Sequence, residues 1–373
     1  MDAIDLTRQL VRIPSVNPGY GITPPEFCGE TRMAEFLHGT LSRNGFTVQR
    51  HEPKPGRPYL VAEKPGRGRG AGAPAVIFCA HLDTVPVCDM TIDPFDPKND
   101  PFLIHGRGSC DDKASIAASA AACADAGDHV PPVVLVYTCD EEFGFTGAEH
   151  FMSLPGRAWA GCVVCEPTAG VAILGHKGVY RCVIGAAGRS AHSSTPERGD
   201  NAIYRMARII SRLETLAGDI AGRVPHPQLG SGTLCVSIVR GGTAVNSVPS
   251  CCEIQIDRRT VPGETAAGAE AELRAALADE TGWTVSAPTL DASCICLDAR
   301  HPFAQTAVAA LGLPVGYVSY ATDGSAFAPQ GIPTIVYGPG NIAQAHTADE
   351  YIAVADIRDA VERYRALLRA LCG

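Results

Sequence analysis

Long apolar runs are missing from this 373-residue sequence: no stretch approaches the roughly 18 consecutive apolar residues that a membrane-spanning helix needs. Basic runs are missing as well, since the densest basic segment is GRGRG at 66–70 and the net charge is -9. These absences argue against a membrane protein and against a protein that binds nucleic acid. The first residues, MDAIDLTRQLVRIPS, are amphipathic and begin with acid, which is not typical of a secretory signal.

The sequence has no second cysteine pair near CVVC at 162–165, so this segment alone does not indicate a zinc or redox site. The 15 cysteines are an odd number, and most of them lie in apolar, strand-like segments. This pattern is typical of reduced, buried thiols rather than of a disulfide framework. Together with the missing signal, it predicts a cytoplasmic protein.

The order of apolar and amphipathic segments predicts two domains, one inserted into the other. With 373 residues, the chain exceeds the roughly 250–300 residues at which a single core stops growing. In 1–176 and 288–373, helices alternate with strands that are apolar throughout, which favours an α/β domain with a mostly parallel central sheet. In 177–287, the order strand–helix–strand–strand–helix–strand predicts a small α+β layer.

Histidines and carboxylates follow four apolar strands and begin one helix of the α/β domain. They are His81 and Asp83 after VIFCA, Asp140, Glu141 and Glu142 after VVLVYTC, Glu166 after CVVC, His346 after TIVYG, and Asp111 before the alanine-rich helix. Ligands of open α/β sheets bind beyond the carboxyl ends of the strands, so we expect these side chains to converge. Histidine and carboxylate groups presented by rigid elements are suitable metal ligands. The sequence therefore predicts a metal site at this edge.

Neighbouring residues in this set suit different tasks. His81 would bind a metal ion through one ring nitrogen while Asp83 holds the other ring N–H and fixes the tautomer. Glu141 and Glu142 are adjacent, so one can coordinate while the other acts as a general base. Each residue alone also has an ordinary structural interpretation, such as a turn or a helix start. The occurrence of all of them in one domain favours the site.

Seven sequence blocks resemble those of the co-catalytic zinc amidohydrolases: AHLDTVPV, GRGSCDDKA, TCDEEFG, CEPT, HKG, GRSAHSSTPERGDNAI and YGPGNIAQAHTADEYI. This family contains acetylornithine deacetylase, succinyl-diaminopimelate desuccinylase, aminoacylases and glutamate carboxypeptidase. The last two blocks look most like the acetylornithine deacetylase branch. The resemblance implies a zinc-peptidase-like catalytic domain and an inserted ferredoxin-like domain that serves dimerisation and acts as a lid.

The resemblance also implies two Zn²⁺ per subunit, and such sites accept Co²⁺ or Mn²⁺ as well. The implied ligands are His81, Asp111 and Glu166 for one ion, and Asp111, Glu142 and His346 for the other. Glu141 matches the general base, and Asp83 matches the residue that orients His81. The peptide bond between Asp111 and Asp112 is implied to be cis.

Five further residues match family positions outside the metal ligands. His192 matches a lid histidine that reaches the partner subunit's active site in a homodimer and helps to bind the oxyanion. Asn246 and Arg259 match lid residues that hold a substrate carboxylate. Gly338 and Gly340 match a loop beside the same pocket. These matches imply a composite site that needs two copies of the chain.

The implied reaction is hydrolysis of a small N-acyl amino acid to a carboxylate and a free amine. N-acetylornithine is the favoured substrate, which implies a role in arginine and hence amino-acid biosynthesis. A desuccinylase, a hydrolase of carrier-bound lysine or ornithine, and a dipeptidase or carboxypeptidase are alternatives within the family. The block YATDGSAF has Ser325 and Ala326 where many relatives carry arginine, which leaves these alternatives open. A metal-free dimeric binding protein is an alternative of another class, and the intact ligand set disfavours it.

Overall fold

Helices and strands alternate along the chain in the computed structural model, which describes residues 1–372. The helices are α1 Ala3–Val11, α2 Thr31–Arg43, α3 Lys113–Ala124, α4 Thr146–Ser153, α5 Ala202–Ala221, α6 Ala266–Ala276, α7 Pro302–Leu311, α8 Gly324–Phe327 and α9 Val354–Ala370. The first eight strands are β1 Thr47–Lys54, β2 Arg57–Lys64, β3 Ala75–His81, β4 Leu103–His105, β5 Val133–Thr138, β6 Trp159–Pro167, β7 Ala172–His176 and β8 Gly178–Ala187. The others are β9 Thr233–Gly241, β10 Cys251–Thr260, β11 Trp283–Val285, β12 Leu290–Ala292, β13 Ile295–Cys296, β14 Val315–Val318, β15 Thr334–Gly338 and β16 Tyr351–Ala353.

The chain divides into two compact units. The first comprises Met1–Gly175, Leu297–Gly316 and Thr322–Gly373, and the second comprises His176–Cys296 and Tyr317–Ala321. The second unit therefore extends beyond the sequence-based boundary at residue 287. One reason is that β12, at Leu290–Ala292, pairs with β8 of this unit.

The larger sheet gives the first unit its α/β character. Its strands in this unit lie in the order β1, β2, β5, β3, β6, β15, β7. The four strands β5, β3, β6 and β15 are parallel, while β1, β2 and β5 pair in antiparallel fashion. All residues of β3 and β5 are buried, which explains why both segments are apolar throughout. The predicted α/β fold with a mostly parallel central sheet is confirmed.

A helical layer of α1, α3 and α9 packs on this sheet through α3. Every residue from Lys113 to Cys123 is buried, and alanine dominates the helix, so α3 can approach β3, β5 and β6 closely. The ring of Tyr364 on α9 meets that of Phe78 on β3 edge-on at a centroid distance of 5.2 Å. The strands that carry the site residues are thereby held in a packed core.

The second unit is the predicted α+β layer. Its strands lie in the order β11, β8, β10, β9, all pairs are antiparallel, and α5 and α6 pack on the sheet. Alternate residues of β10 are buried, as a sheet with one covered face requires. The core between helices and sheet includes Ile254, Ile256, Met206, Ile209, Leu213 and Leu273.

Strand β9 forms an edge of this second sheet. It pairs with β10 along one side, and no strand of residues 1–372 pairs with its other side. Two apolar side chains on it are exposed, Ile238 at 39% and Val239 at 60%. An open edge with exposed apolar side chains is a surface on which another strand can pair.

No helix in the described part of the chain, residues 1–372, combines the length and apolar character needed to cross a bilayer.

Candidate metal centre

Three neighbouring parallel strands bring most of the candidate ligands to one edge of the first unit. His81 is the last residue of β3, Glu141 and Glu142 follow shortly after β5, and Glu166 lies near the end of β6. Asp111 lies just before α3, whose N-cap residue is Asp112. Because the carboxyl ends of parallel strands share one edge, these residues lie at the same edge of the sheet.

Two groups of side chains are arranged so that each could hold a metal ion. One group is His81, Asp111 and Glu166, the other is Asp111, Glu142 and His346, and the ligand atoms within each group lie within 4.8 Å of one another. The two groups are the two sets that the resemblance implies, and Asp111 belongs to both.

The two carboxylate oxygens of Asp111 face different histidines. Oδ1 lies 2.8 Å from Nε2 of His81, and Oδ2 lies 3.3 Å from Nε2 of His346. Nε2 of His346 also lies 3.2 Å from Oε2 of Glu142, and Nε2 of His81 lies 3.9 Å from Oε1 of Glu166. Asp111 is therefore placed to bridge two ions through one oxygen each.

The charges of this centre are those of a site for cations. Partial loss of hydration lowers the pKa of the half-exposed His346, but hydrogen bonds to Asp111 and Glu142 outweigh this and raise the pKa to about 11. Burial, followed by the charge of Glu166, raises the pKa of Glu141 well above its usual range. Burial also raises the pKa of Glu166, and the charge of Asp111 adds to this. Several carboxylates thus lie close together, and the nearby positive charges are too few to balance their negative charges.

One ligand oxygen is also unpartnered. Oε1 of Glu142 is buried and finds no hydrogen-bond partner within residues 1–372. Such an atom is costly to bury unless a cation or a donor satisfies it. Two histidines and three carboxylates are a ligand set that divalent cations prefer. The surplus of negative charge and the unpartnered oxygen of Glu142 also fit the binding of two such cations.

The two groups differ in their access to solvent. The side chain of His81 is 1% exposed, whereas that of His346 is 53% exposed. His346 also has a φ of 62°, in the left-handed region that residues other than glycine rarely adopt. Strain of this kind is often found at functional sites.

Asp83 contacts His81 in a different way from the one expected. Nδ1 of the ring faces the main-chain oxygen of Asp83 at 2.9 Å, whereas Oδ1 of the carboxylate is 3.9 Å away. Because a carbonyl oxygen only accepts, Nδ1 carries the proton and Nε2 is left to act as the ligand. Asp83 therefore orients His81 through its main chain.

Asp112 lies at the start of α3 and also contacts the strand that carries His81. It occupies the N-cap position of α3, but its side chain caps no N–H of the helix. Its Oδ2 instead accepts the main-chain N–H of His81 at 3.2 Å. The peptide bond between Asp111 and Asp112 is cis, as the resemblance implies.

Glu350 holds the loop that leads to Asp111, a contact that the sequence analysis missed. Its carboxylate accepts the main-chain N–H groups of Gly108, Cys110 and Asp111 at 3.0, 2.9 and 3.1 Å. Arg107 donates to the same carboxylate at 2.9 Å, and both side chains are 1% exposed. In the sequence, Glu350 is marked only by its position four residues after His346.

In the second unit, the segments of His192 and Asn246 lie side by side. The main-chain N–H of Ser193 donates to the main-chain oxygen of Asn246 at 3.0 Å. His192 pairs with Ser247 in an isolated β-bridge. Arg259 lies on β10 and is paired with Asp257, with Nε 2.7 Å from Oδ1 and Nη2 3.2 Å from Oδ2. A free substrate carboxylate would have to compete with Asp257 for Arg259.

Gly338 and Gly340 lie at the end of β15 in the first unit. A Cβ at Gly338 would meet the main-chain oxygens of Cys165 and Glu166, so only glycine fits beside the strand that presents Glu166. Gly340 has a φ of 84°, which favours glycine for conformational reasons. Ser325 and Ala326, the positions at which the sequence departs from many relatives, lie in α8.

Two adjoining histidine–carboxylate groups thus lie at the carboxyl edge of a parallel sheet, next to the half-buried Glu141, and this arrangement is typical of a two-metal centre. A model of Peptidase family M20/M25/M40 matches residues 77–370, and the chain belongs to this family. The family assignment made from the sequence blocks is thereby confirmed.

Related sequences match along nearly the whole chain. An acetylornithine deacetylase of Vibrio vulnificus (strain CMCP6) is 31% identical over 386 residues, which cover 99% of this chain and 98% of that protein. An acetylornithine deacetylase of Edwardsiella ictaluri (strain 93-146) is 31% identical over 365 residues, which cover 94% and 92%.

Solved structures share the fold at lower identity. An M20 family metallo-carboxypeptidase from Sulfolobus solfataricus has a TM-score of 0.80 at 17% identity and covers 100% of both chains. The YXEP protein of Bacillus subtilis, described as a dinuclear metal-binding peptidase, has a TM-score of 0.65 at 16% identity and covers 99% of this chain and 96% of its own. Together with the family membership, these findings identify the chain as a metal-dependent hydrolase that acts on amide bonds.

Proposed function

We propose that the protein removes the acyl group from an N-acyl amino acid, that its substrate is N-acetylornithine, and that it uses two Zn²⁺ ions. The observation that carries this proposal is Asp111, whose two oxygens face the two histidines of adjoining ligand groups. The names of the relatives that match along 99% and 94% of the chain support the choice of substrate. This substrate would place the reaction in arginine biosynthesis in the cytoplasm.

Two divalent ions bound by these groups would polarise the amide carbonyl and lower the pKa of water. Glu141 takes one proton of the attacking water on its carboxylate and delivers it to the nitrogen of the departing amine as the C–N bond breaks. Its carboxylate suits this task because Glu141 belongs to neither ligand group and is therefore free to take up the proton. The products are one carboxylic acid and one amine, so the atoms of water and amide are all accounted for.

We propose that His192 donates a hydrogen bond to the oxyanion. The main-chain N–H of Ser194 lies 3.2 Å from Nδ1 of His192, and because it only donates, Nδ1 must accept. The neutral ring therefore carries its proton on Nε2, and this N–H group is available to donate a hydrogen bond outside the turn. A positioned N–H of this kind stabilises a developing negative charge.

Arg259 and Asn246 complete the proposal as residues that hold the substrate carboxylate, and Gly338 and Gly340 as part of the loop beside it. Arg259 suits a carboxylate because its fork already makes a two-point contact with Asp257. The substrate carboxylate would replace Asp257 in that contact.

We propose that the active form is a homodimer in which His192 acts in the partner's site. The open edge of β9 and the exposed Ile238 and Val239 support a surface for a second copy. Mixing His192→Ala with Glu141→Ala subunits under exchange should restore partial activity, since some hybrid sites receive both groups intact. No recovery despite demonstrated exchange would contradict action in trans.

A panel of substrates tests the proposed specificity. N-acetylornithine, N-succinyl-diaminopimelate, N-acetyl-lysine and a dipeptide are assayed side by side with enzyme loaded with Zn²⁺ or Co²⁺. We expect the highest kcat/KM for N-acetylornithine. A higher value for the succinyl compound or the dipeptide would overturn the assigned substrate while leaving amide hydrolysis intact.

A further inference from the structure

The carboxylate of Asp83 contacts the main chain of the segment that contains Glu141. Oδ1 accepts the N–H of Glu141 at 3.1 Å, and Oδ2 accepts the N–H of Glu142 at 3.2 Å. Asp83 is fully buried, so these bonds are shielded from water. The carboxylate that lies too far from the ring of His81 is thus placed to hold the backbone of the two glutamates.

Asn17 connects Asp83 to Asp140. Its Nδ2 donates to Oδ2 of Asp83 at 2.7 Å and to Oδ1 of Asp140 at 3.0 Å. A side-chain amide carries two N–H groups, so both bonds can form at once. Its Oδ1 accepts the N–H of Gly19 at 2.8 Å, which fixes the orientation of the amide.

Asp140 directly precedes Glu141 and has a φ of 66°, in the left-handed region. Several donors hold its carboxylate in place. Oδ1 lies 3.1 Å from Nη2 of Arg57, and Oδ2 lies 2.5 Å from Oγ1 of Thr146 and 3.3 Å from Nζ of Lys54. The direction in which the chain enters Glu141 therefore depends on these contacts.

Arg57 is itself held by Glu30. The Arg57 Nη2 and Nε atoms lie 2.6 and 2.7 Å from the two carboxylate oxygens of Glu30, a two-point contact with a defined geometry. Glu30 is fully buried, and its Oε1 also accepts the main-chain N–H of Asp140 at 3.3 Å. Residues from α2's N-terminus and from β2 are in this way tied to the residue before Glu141.

We propose that the network of Asn17, Glu30, Arg57, Asp83 and Asp140, here called the Glu141 support network, positions the carboxylate of Glu141 for proton transfer. Asn17 and Arg57 act as positioning residues, since they belong to neither ligand group and reach Glu141 only through Asp83, Asp140 and Glu30. The inference rests on the proposed role of Glu141 as general base. It adds that residues distant in sequence, and outside both ligand groups, keep Glu141 in position for that role.

The test uses Asn17→Ala and Arg57→Lys, assayed as zinc-loaded protein with the best substrate of the panel. Loss of a hydrogen bond that orients a residue of an active site typically lowers activity by about 10–100-fold, so we expect kcat to fall by this factor. We expect KM to change by less than about two-fold, since ground-state binding is untouched. The zinc content should equal that of the wild type.

A matched control separates positioning from general loss of stability. Tyr137→Phe removes a buried hydroxyl that lies 3.0 Å from both Oγ of Ser119 and the oxygen of Ile116. Tyr137 lies on β5, only three positions before Asp140. We expect this variant to unfold at a lower temperature but to keep the kcat of the wild type.

A second readout does not depend on activity. Amide hydrogen exchange of residues 139–145, measured on metal-free protein, should become faster in Asn17→Ala and Arg57→Lys but not in Tyr137→Phe. If a buried variant fails to fold, Lys54→Met serves instead, because Lys54 is 57% exposed and loses only its contacts with Asp140 and Thr146. We expect a smaller loss of kcat for it, with the same faster exchange.

The outcomes distinguish the two levels of the proposal. If Glu141→Gln keeps its activity, the general-base role fails. If Glu141→Gln is inactive while Asn17→Ala, Arg57→Lys and Lys54→Met all keep the kcat and the exchange rates of Tyr137→Phe, the support network has no positioning role. Slower turnover with unchanged KM and zinc content, together with faster exchange, supports it.

Discussion

At the scale of single residues, Glu141 and Glu142 are adjacent in sequence but differ in their surroundings. Glu142 faces His346 at 3.2 Å and belongs to a ligand group, whereas Glu141 belongs to neither group. We therefore expect Glu141→Gln to lower kcat by about 10²–10⁴-fold, the usual contribution of a general base, while the metal content is retained. Glu142→Gln should instead lower the metal content. Elemental analysis and turnover of both variants check this, and loss of metal from Glu141→Gln would contradict it.

Because of His176 in the second unit, we expect the stability of the protein to decrease in acid. Burial lowers the pKa of His176 to about 4, since the buried ring disfavours a charge. The unfolded chain takes up a proton near pH 6.5 and the folded chain only near pH 4, so the contribution of His176 to stability is full above 6.5 and decreases as the pH falls toward 4. Between pH 7.5 and 5 this amounts to about 2 kcal/mol.

Urea unfolding at pH 7.5 and 5 measures this contribution. His176→Gln cannot take up the proton, so its free energy of unfolding should decrease between these values by about 2 kcal/mol less than that of the wild type. Other acid-sensitive groups are common to both proteins and cancel in the comparison. An equal decrease in both proteins would contradict the assignment.

At the scale of elements, the pairing of β15 with β6 controls the position of Glu166. The register shifts between Val336 and Gly338, and a Cβ at Gly338 would lie 2.7 Å from the main-chain oxygen of Glu166. Gly338→Ala must therefore push the strands apart. We expect a loss of about 1–3 kcal/mol in stability, as for other overpacked sites, and weaker metal binding.

Gly156→Ala is the control for this substitution. A Cβ at Gly156 would have no atom within 4 Å, so we expect a change within about 0.5 kcal/mol and normal metal content. Thermal unfolding and metal titration of both variants give the comparison. Normal metal affinity in Gly338→Ala would show that Glu166 tolerates a shift of β15.

The elements also show what a single sequence can and cannot reveal. His81, Glu141 and Glu166 could be predicted because each follows a fully apolar strand, and parallel strands place such residues together. The contacts of Asn17 could not be predicted, because its partners lie 66 and 123 residues away and no local pattern marks it. Glu30 was missed for a similar reason, since an acid near a helix start is ordinarily exposed.

Asp83 shows a finer limit of sequence reasoning. Its spacing of two residues from His81 indicated a contact with the ring, and the contact exists. The sequence could not decide between its main-chain oxygen and its carboxylate, because that choice depends on the N–H groups that Glu141 and Glu142 offer from the turn after β5. Tertiary hydrogen bonds of this kind follow from the assembled fold only.

At the scale of the whole molecule, activity should depend on assembly if His192 acts in the partner's site. Val239 is exposed on the open edge of β9, so Val239→Lys places a charge on the proposed contact surface. We expect a shift from dimer to monomer in analytical ultracentrifugation and a loss of activity in proportion to the monomer fraction. The metal content should not change.

Val224→Lys is the matched control, since Val224 is 95% exposed and lies outside β9. It adds the same charge to the same unit, so we expect it to remain dimeric and active. Monomeric Val239→Lys protein with full activity would rule out action of His192 in trans. A dimeric Val239→Lys protein would place the contact surface elsewhere.

The unequal exposure of His81 and His346 has a kinetic consequence. An ion held by the enclosed group can leave only when the packed strand ends open, whereas an ion held beside a half-exposed imidazole can be reached by a chelator directly. Treatment with a chelator should therefore release metal in two phases of similar amplitude, the first fast and the second slow. A single phase would show that both ions leave by the same route. In the cell, such a protein would keep one ion as a lasting part of its fold and exchange the other with the surrounding metal pool.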